Sequence, residues 1–517
     1  AVFFSRLDPL DFAQEGHRTE FAEPDNHDSE LVFKGVVFNE MKGAMSSITS
    51  TLWDLLCAHL FPTSTYRFNS GGDPEDIPDL SYEQLREFYR THYHPSNAIF
   101  MTYGDISAAE HQGVFEENAL QHFERLDKRI EVTAEKRLQA PQHVIEHYAF
   151  DESDDTSNKS HIVIGWMLGE SSDLTQLLEA QLLSSVLTDN SASPLQQLLE
   201  TTELGRAPSP LCGLEDSMRE LVFCCGIEGS EAEHADALEA QVLGVIETVA
   251  NEGVSLEKLE AVLHQLELHQ REVSGDSYPY GLQLILQGLG CANHYADPIA
   301  VLNLDPVIAQ LRQNIQDPDY IKQLARRLLL DNQHRVTLVM TPDPELSGRR
   351  QAQEQQRLAE IRAAMDDEQR AATVKLAADL VERQAQEDDA SVLPKVELSD
   401  VPLSLPDLDY VRDSSSGIAT TRYARPTNGI TYQQLVYSLP ALDEQQLGLL
   451  PLYTAMLTEL GMSEASYIEV QERQAAEVGS ISAFSSMRGA IDDEQQISGY
   501  LTISSKALAD KSLSLIH

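Results

Sequence analysis

Apolar residues recur three to four positions apart over residues 35–60, and Pro62 follows them. This spacing predicts one continuous helix that ends before the proline. The next stretch, residues 69–74, reads Asn-Ser-Gly-Gly-Asp-Pro, a composition typical of a turn or loop. The beginning of the chain is therefore predicted to contain a long helix followed by a sharp change of direction.

A second helix is predicted to begin after Ser81, because Ser81 and Gln84 form a capping-box pattern, and to end before Pro95. Residues 98–103 are apolar and aromatic, a pattern that predicts a strand. We therefore expect residues 1–139, the first unit, to combine helices and strands.

Runs of β-branched and other apolar residues predict three strands in the second unit, residues 140–345. They lie at residues 161–166, 221–225 and 336–340, and long stretches of helical periodicity separate them. This alternation predicts a complete α/β unit.

A stretch rich in Gln, Ala, Glu and Arg follows, and its apolar residues recur at helical spacing on both sides of a break near residue 366. Residues 346–402 are therefore predicted to form a helical hairpin linker. Residues 403–517 are predicted to begin a third unit, with one strand and two helices between residues 431 and 476.

The second and third units follow the same order of helices, a glycine and paired strands, around Gly213 and Gly479. This order favours repeated, related α/β domains, although chance similarity between α/β units is a fair competitor. The chain starts without Met, and residues 512–517 stop within an alternating, strand-like pattern. We therefore expect the first and third units to be truncated.

The composition limits the partners of the chain. Its 517 residues include 83 acidic and 37 basic side chains, a formal charge of -46, which repels nucleic acid phosphates and anionic lipid head groups. We interpret this charge first as a solvated surface and second as an attraction for basic peptides. No apolar run of the sequence is long enough to span a membrane. The five cysteines lack metal-site spacing and are predicted to be reduced, which favours a soluble cytoplasmic or organelle-matrix protein.

Glu40 is the candidate functional residue of the first predicted helix. Its neighbours on the same helical face, Gly43, Ala44 and Ser47, are all small, so another helix can approach closely there. Taken alone, a glutamate on a helix is more often simply exposed to solvent. The surrounding segments decide between these two interpretations.

Residues 33–43, which contain Glu40, resemble the segment that carries the distal zinc-binding glutamate in presequence-protease and falcilysin type peptidases. These enzymes form subfamily C of peptidase family M16, within the pitrilysin–insulinase superfamily. Three further segments follow the order and spacing of that family, at residues 69–78, 88–98 and 103–105. The resemblance extends more loosely over nearly the whole chain.

The resemblance implies pitrilysin-like α/β domains arranged as two bowls, joined by the hairpin and closing around a peptide. It also implies a zinc site in which the two histidines of an H-x-x-E-H helix bind the metal with the distal glutamate, here Glu40. That helix is expected upstream of this sequence. Zinc is thus expected in the full-length parent, with Glu40 as the one ligand carried over, whereas no catalytic residue and no bound zinc are expected in this chain.

One literal H-x-x-E-H match occurs in the chain, at His143, Glu146 and His147. Its alternating, β-branched residues predict a strand, in which the two histidines would lie roughly 13 Å apart. Histidines at this spacing on a helix lie about 6 Å apart. One zinc ion cannot bridge the longer distance, so these three residues are predicted not to form a metal site.

The leading hypothesis is therefore a fragment of a zinc endopeptidase that degrades short unstructured peptides in a closable chamber, the fragment itself being inactive. Its expected partners are such peptides, basic ones in particular, and the missing halves of its own chain. The alternative is a noncatalytic binding or scaffold member of the same superfamily. A third idea, a short chain that assembles with a second chain carrying the motif, is disfavoured by the truncated ends.

Overall fold

The computed structural model describes residues 2–127, 129–151, 153–273, 278–387, 389–393, 395–404, 408–414, 417–493 and 495–511. The strand-like pattern at residues 512–517 lies outside the described residues. Helices and strands alternate through the chain, so the predicted mixed α/β fold class is confirmed. The unit boundaries stay a prediction.

The first unit consists of short elements. They are helices α1 (Pro9–Asp11), α2 (Val36–Ala44), α3 (Ile48–Leu60), α4 (Tyr82–His92) and α5 (Ala108–Asn118), and strands β1 (Arg18–Phe21) and β2 (Leu31–Lys34). Strands β1 and β2 form an antiparallel pair. The predicted capping box at the start of α4 is confirmed, because Ser81 and Gln84 exchange side-chain and backbone hydrogen bonds.

The predicted single helix over residues 35–60 is wrong, because a turn at residues 45–47 separates α2 from α3. Ser47 adopts an extended conformation, and its Oγ accepts a hydrogen bond from the backbone N–H of Ser50 at 3.3 Å. Such a bond satisfies one of the free donors at a helix start, so Ser47 begins a new helix.

The predicted strand at residues 98–103 is also wrong. These residues form no strand, and no described strand pairs with them. The ring of Phe100 instead packs on the ring of Phe115 in α5, with centroids 4.6 Å apart. Apolar composition alone does not make a strand, because a strand also needs a backbone partner.

The second unit is a six-stranded sheet with helices of the second unit on one face and α3 of the first unit on the other. Its strands are β3 (Gln142–Ala149), β4 (Ser160–Glu170), β5 (Ala207–Pro208), β6 (Gly213–Glu215), β7 (Glu220–Ser230) and β8 (Arg335–Asp343), and its helices are α6 (Leu174–Thr188), α7 (Pro194–Thr201), α8 (Ala235–Glu252), α9 (Leu256–Arg271), α10 (Tyr280–Asn293), α11 (Asp305–Asn314) and α12 (Tyr320–Ala325). The three predicted strands are confirmed as β4, β7 and β8.

The strand order is β3-β8-β4-β7-β5, and β6 also pairs with β7. Strand β3 runs parallel to β8, whereas the other pairs are antiparallel. One face of the sheet buries Ile162, Ile164 and Trp166 against helices of the second unit. The opposite face buries Val163 and Met167 against α3 of the first unit, so the two units share a core.

The hairpin and the third unit complete the chain. The hairpin consists of helices α13 (Leu346–Ala364) and α14 (Asp367–Gln384), and the third unit contains strands β9 (Val411–Asp413), β10 (Thr420–Arg422), β11 (Ile430–Ser438), β12 (Ser480–Gly489) and β13 (Ile497–Leu508) with helices α15 (Glu444–Met456) and α16 (Tyr467–Glu477). The predicted break of the hairpin is confirmed at Met365 and Asp366, where Asp366 caps α14. The predicted strand and two helices of the third unit are confirmed as β11, α15 and α16.

Two further expectations concern cysteines and membranes. All five cysteines are free thiols, and four of them are buried, as predicted for reduced core residues. Among the described residues, no helix combines the length and apolar character that crossing a membrane requires.

Candidate functional site

The helix that carries Glu40 begins at a position that only glycine fits. Gly35 lies between β2 and α2 with a φ angle of 154°, and a Cβ atom there would come within 2.1 Å of the carbonyl oxygen of Gly16. A side chain would therefore clash with backbone, and glycine lets the chain turn from the strand directly into the helix. Glu40 follows in the second turn of α2.

The two faces of α2 differ sharply in burial. Phe38 and Met41 are buried, with 1% and 9% of their surface exposed, whereas Val36 is 48% exposed. Gly43 belongs to the exposed face, and a Cβ atom placed on it would meet no atom within 4 Å. The face that Glu40 shares with small residues is thus open, and the buried face fixes the direction in which it points.

The carboxylate of Glu40 lies on this open face without a partner in the described part of the chain. Glu40 is exposed, and the nearest cation along the helix, Lys42, pairs instead with Glu354 at 2.7 Å. An unpaired carboxylate on an open face is free to bind a cation or to stay solvated. The role of Glu40 as a zinc ligand remains a prediction.

The residues around Glu40 do not by themselves fit a zinc ion. No group of three or more His, Cys, Asp or Glu side chains able to hold a metal occurs among the described residues. A hydrolytic zinc site uses three protein ligands and a water molecule. Glu40 is one carboxylate, so among the described residues it does not complete such a set.

The H-x-x-E-H match lies on β3, so the strand predicted there is confirmed. His143 points to one face of the sheet, where its Nε2 lies 3.0 Å from Oε2 of Glu239 on α8. Glu239 is buried and also pairs with Arg335 at 2.8 Å. The imidazole of His143 is thus held by a carboxylate that is already paired.

The other two residues of the match point elsewhere. Oε1 of Glu146 lies 2.9 Å from Nε2 of His59 on α3, which covers the opposite face of the sheet. Nδ1 of His147 lies 2.7 Å from Oγ1 of Thr341 on β8. The three side chains of the match therefore have three separate partners, and the structure does not bring them together.

The glycine loop at residues 69–74 packs beneath α2. A Cβ atom on Gly71 would lie 2.2 Å from Sδ of Met41, so glycine allows the loop to approach the buried face of the helix. Gly72 has a φ angle of 90°, which also favours glycine. The pair of glycines is structural, as its composition predicts, and it supports the helix that carries Glu40.

A buried polar contact within the first unit, which Glu220 extends to the second unit, was not predicted from the sequence. Glu135, which is 6% exposed, accepts hydrogen bonds from the backbone N–H of Thr63 at 3.0 Å and of Ser64 at 2.7 Å. Burial raises the pKa of Glu135, but the hydrogen bonds from Thr63, Lys136 and Ser64 together outweigh it, so the net pKa is lowered. The carboxylate therefore remains ionised and ties α3 to the segment before β3.

Glu220 continues this contact on the sheet side. Its Oε1 accepts a hydrogen bond from the backbone N–H of Glu135 at 2.9 Å, and its burial raises its pKa. Nearby, the hydroxyl of Tyr66 accepts a hydrogen bond from the backbone N–H of Arg219 at 3.1 Å and lies 3.2 Å from Nε2 of His294. The contacts of Glu220 and Tyr66 each join residues at least 85 positions apart. No local sequence pattern could therefore have predicted them.

Two parts of the chain match models of known protein families. Residues 79–266 match the family described as peptidase M16 inactive domain, and residues 340–517 match the family described as associated with the peptidases of M16 subfamily C. The two matches cover parts of all three units.

The relatives with similar sequences include presequence proteases from several organisms. The mitochondrial presequence protease of Xenopus tropicalis is 33% identical over 484 residues, covering 93% of this chain and 47% of that protein. The mitochondrial presequence protease of Mus musculus is 31% identical over 503 residues, covering 97% and 48%. Presequence protease 1, chloroplastic/mitochondrial, of Arabidopsis thaliana is 30% identical over 503 residues, covering 95% and 46%. The chain spans about half the length of the curated relatives it matches.

Proposed function

Because the chain belongs to the presequence-protease type of the M16 peptidases, subfamily C, we propose that it is part of a zinc endopeptidase that degrades short, unstructured peptides in a closable chamber. In this proposal Glu40 is the distal zinc ligand. The remaining ligands and the general base come from residues outside these 517, so the chain alone does not hydrolyse peptides.

The observation that carries the proposal is the unpaired carboxylate of Glu40 on the open face of α2. Zinc accepts carboxylate oxygen as a ligand, and the small residue Gly43 leaves room for a second helix beside it. Phe38 and Met41 hold the opposite face in the core, so the carboxylate is presented in one direction. When bound, zinc would supply an activated water molecule for hydrolysis of a peptide bond.

Substrate and location follow from charge and from the relatives. A formal charge of -46 supports basic peptides as substrates, because an acidic surface attracts them over several ångströms. The relatives are named as mitochondrial or chloroplastic presequence proteases. We therefore propose basic, unstructured peptides as the substrates and an organelle matrix as the compartment.

The test compares the complete gene product with its Glu40→Gln variant. We expect the variant to lose bound zinc, and kcat/KM for a basic model peptide to fall by more than about 100-fold, because loss of even an outer-shell partner costs 10- to 100-fold. Glu116→Gln, at an exposed position of α5, is the matched control and should retain zinc and activity. Undiminished zinc content and cleavage in Glu40→Gln would rule out the assignment.

A noncatalytic binding or scaffold role is the second candidate. It is favoured by the match of residues 79–266 to the family described as peptidase M16 inactive domain. A complete gene product that contains an H-x-x-E-H helix and binds one zinc ion would exclude it. Copurification of a separate chain carrying that helix would instead support a two-chain enzyme.

A further inference from the structure

The hairpin packs against β1 and β2 and shares a buried cluster with α2, the helix that carries Glu40. Leu358 on α13 is 6% exposed and belongs to the same buried cluster as Phe38 and Met41 of α2. Met365, at the turn of the hairpin, packs against this cluster, as does Val374 on α14. The hairpin is thus part of the core beneath α2 and contributes more than a connection between units.

Polar contacts reinforce this packing at α2 itself. Nζ of Lys42 lies 2.7 Å from Oε2 of Glu354, one turn before Leu358 on α13. The same ammonium group lies over the ring of Phe38, 5.0 Å from its centroid. Lys42 therefore joins the α13 surface to the buried face of α2.

Further contacts fix the hairpin beside the loop that supports α2. Arg357 donates a hydrogen bond to the carbonyl oxygen of Glu75 at 2.9 Å and forms an ion pair with Asp79. Nε of Arg383 donates a hydrogen bond to Oδ1 of Asp11 at 2.9 Å, near the start of the described chain. The hairpin therefore contacts the first unit at both of its helices.

The buried face of α2 therefore has two supports. Gly71 of the glycine loop approaches Met41, and Leu358 of the hairpin belongs to the cluster that contains Phe38 and Met41. Glu40 lies two positions after Phe38 and one before Met41, within one rigid turn of helix. A change in the position of the buried face must therefore move the carboxylate.

We propose that the hairpin is the positioning element of α2, and that Leu358 and Glu354 are positioning residues that set the direction of the Glu40 carboxylate. A shift of the hairpin is transmitted through Leu358 to Phe38 and Met41, and so to Glu40. The significance of this coupling for catalysis rests on the proposed function, whereas the coupling itself is a property of this chain.

Hydrogen exchange of the 517-residue chain tests the coupling. In Leu358→Ala we expect amides of residues 36–44 to exchange at least about tenfold faster, because a cavity beneath α2 lowers its local opening free energy. Exchange in β4 and β7 should stay unchanged, which shows that the chain is still folded. Val381→Ala is the matched control, since Val381 lies on the same hairpin with 67% of its surface exposed.

Rescue distinguishes a positioning role from a general loss of packing. Leu358→Met, which preserves volume, should restore the exchange of residues 36–44 to nearly the native rate. Lys42→Glu and Glu354→Lys should each accelerate it by up to about fivefold, and the double variant with both charges exchanged should reverse that effect.

Two results would overturn the proposal. One is an exchange rate of residues 36–44 in Leu358→Ala that equals the rate in Val381→Ala. The other is acceleration spread equally over β4, β7 and α2, with no return in Leu358→Met. Failure of the Glu40→Gln zinc experiment would overturn the proposed function and leave these exchange results as they are, so the two failures are distinguishable.

Discussion

Nε2 of His59 lies 2.9 Å from Oε1 of Glu146, and this contact joins α3 to the edge strand β3. It places the glutamate of the H-x-x-E-H match on the α3 face of the sheet, whereas His143 contacts Glu239 of α8 on the other face. Side chains an odd number of positions apart on a strand point to opposite faces, so Glu146 lies on the face opposite to His143 and His147. The strand therefore does not bring the three side chains of the motif together.

The first prediction concerns zinc at this strand. We expect the melting temperature of the 517-residue chain to respond to added zinc in the same way as that of its His143→Ala/His147→Ala variant, because a ligand stabilises a protein only through a site it occupies. Differential scanning fluorimetry with and without zinc measures both responses. A zinc-dependent increase that the double variant loses would show that β3 binds metal.

The second prediction concerns the packing of α3 on the sheet. A Cβ atom on Gly165 would lie 3.0 Å from Cδ1 of Leu60 and 3.2 Å from Cδ1 of Leu56. Gly165→Ala should therefore lower the free energy of unfolding by about 1 to 3 kcal/mol through overpacking. Urea unfolding measures this change.

Its control lies in α8. Gly244 is an exposed helix residue, and a Cβ atom on it would meet no atom within 4 Å. Gly244→Ala should raise the free energy of unfolding by about 0.5 to 1 kcal/mol, because alanine favours a helix interior. Equal effects of the two substitutions would contradict the tight contact at Gly165.

The third prediction concerns the buried carboxylate of Glu135. Glu135→Gln keeps one oxygen that can accept the backbone bonds from Thr63 and Ser64 to Oε2. It places an NH2 group at Oε1, which cannot accept the bond from the backbone N–H of Lys136 at 2.7 Å. The free energy of unfolding at neutral pH should decrease by roughly 1 to 3 kcal/mol. Glu131→Gln, four residues earlier and exposed, should change it by less than about 0.5 kcal/mol in the same denaturation experiment. An equal decrease of the free energy of unfolding in both variants would show that the buried contact of Glu135 does not stabilise the fold.

The fourth prediction concerns pH and the contact between α9 and the end of the third unit. His264 is 4% exposed, and burial, followed by the charge of Lys511, lowers its pKa from 6.5 to about 4. In the unfolded chain the imidazole takes up a proton below about pH 6.5, while in the folded chain it stays neutral down to about pH 4. The contribution of His264 therefore favours unfolding as the pH falls through this window.

Between pH 7 and pH 5 this contribution should cost about 2 kcal/mol of stability. Urea unfolding at the two pH values should show a smaller loss in His264→Gln than in the native chain. His27→Gln changes an imidazole that is 63% exposed and should leave the pH dependence unaltered. An unchanged loss in His264→Gln would show that other groups cause it.

Local sequence patterns were sufficient to predict the buried strands of the second unit. The β-branched runs around Ile162, Phe223 and Leu338 were sufficient to predict β4, β7 and β8, because a buried strand reads as a continuous apolar run. The break before α3 was missed although Ser47 carries its signal, since the apolar periodicity continues across it with little change of phase.

Predictions that depended on distant partners were less successful. Residues 98–103 have the composition of a strand and lack a described backbone partner, which no local pattern can reveal. Glu40 was identified by resemblance. Gly43 and Ala44 share its helix as expected from the sequence, whereas Ser47 lies outside α2 and caps α3. The contacts of Glu135 and Leu358 join residues that are far apart in the chain, so they can be identified only from the folded structure.

Because β8 lies between β3 and β4, the sheet cannot be completed until β8 has been synthesised. His147 and its β8 partner Thr341 are 194 positions apart, and β3 has no other strand neighbour in the described sheet. At a synthesis rate of about 5 to 20 residues per second, β3 leaves the ribosome roughly 10 to 40 s before β8 exists. During that interval the apolar face of α3 and the free edge of β3 have no completed sheet to pack on. The nascent chain therefore exposes this apolar surface until its last central strand is made.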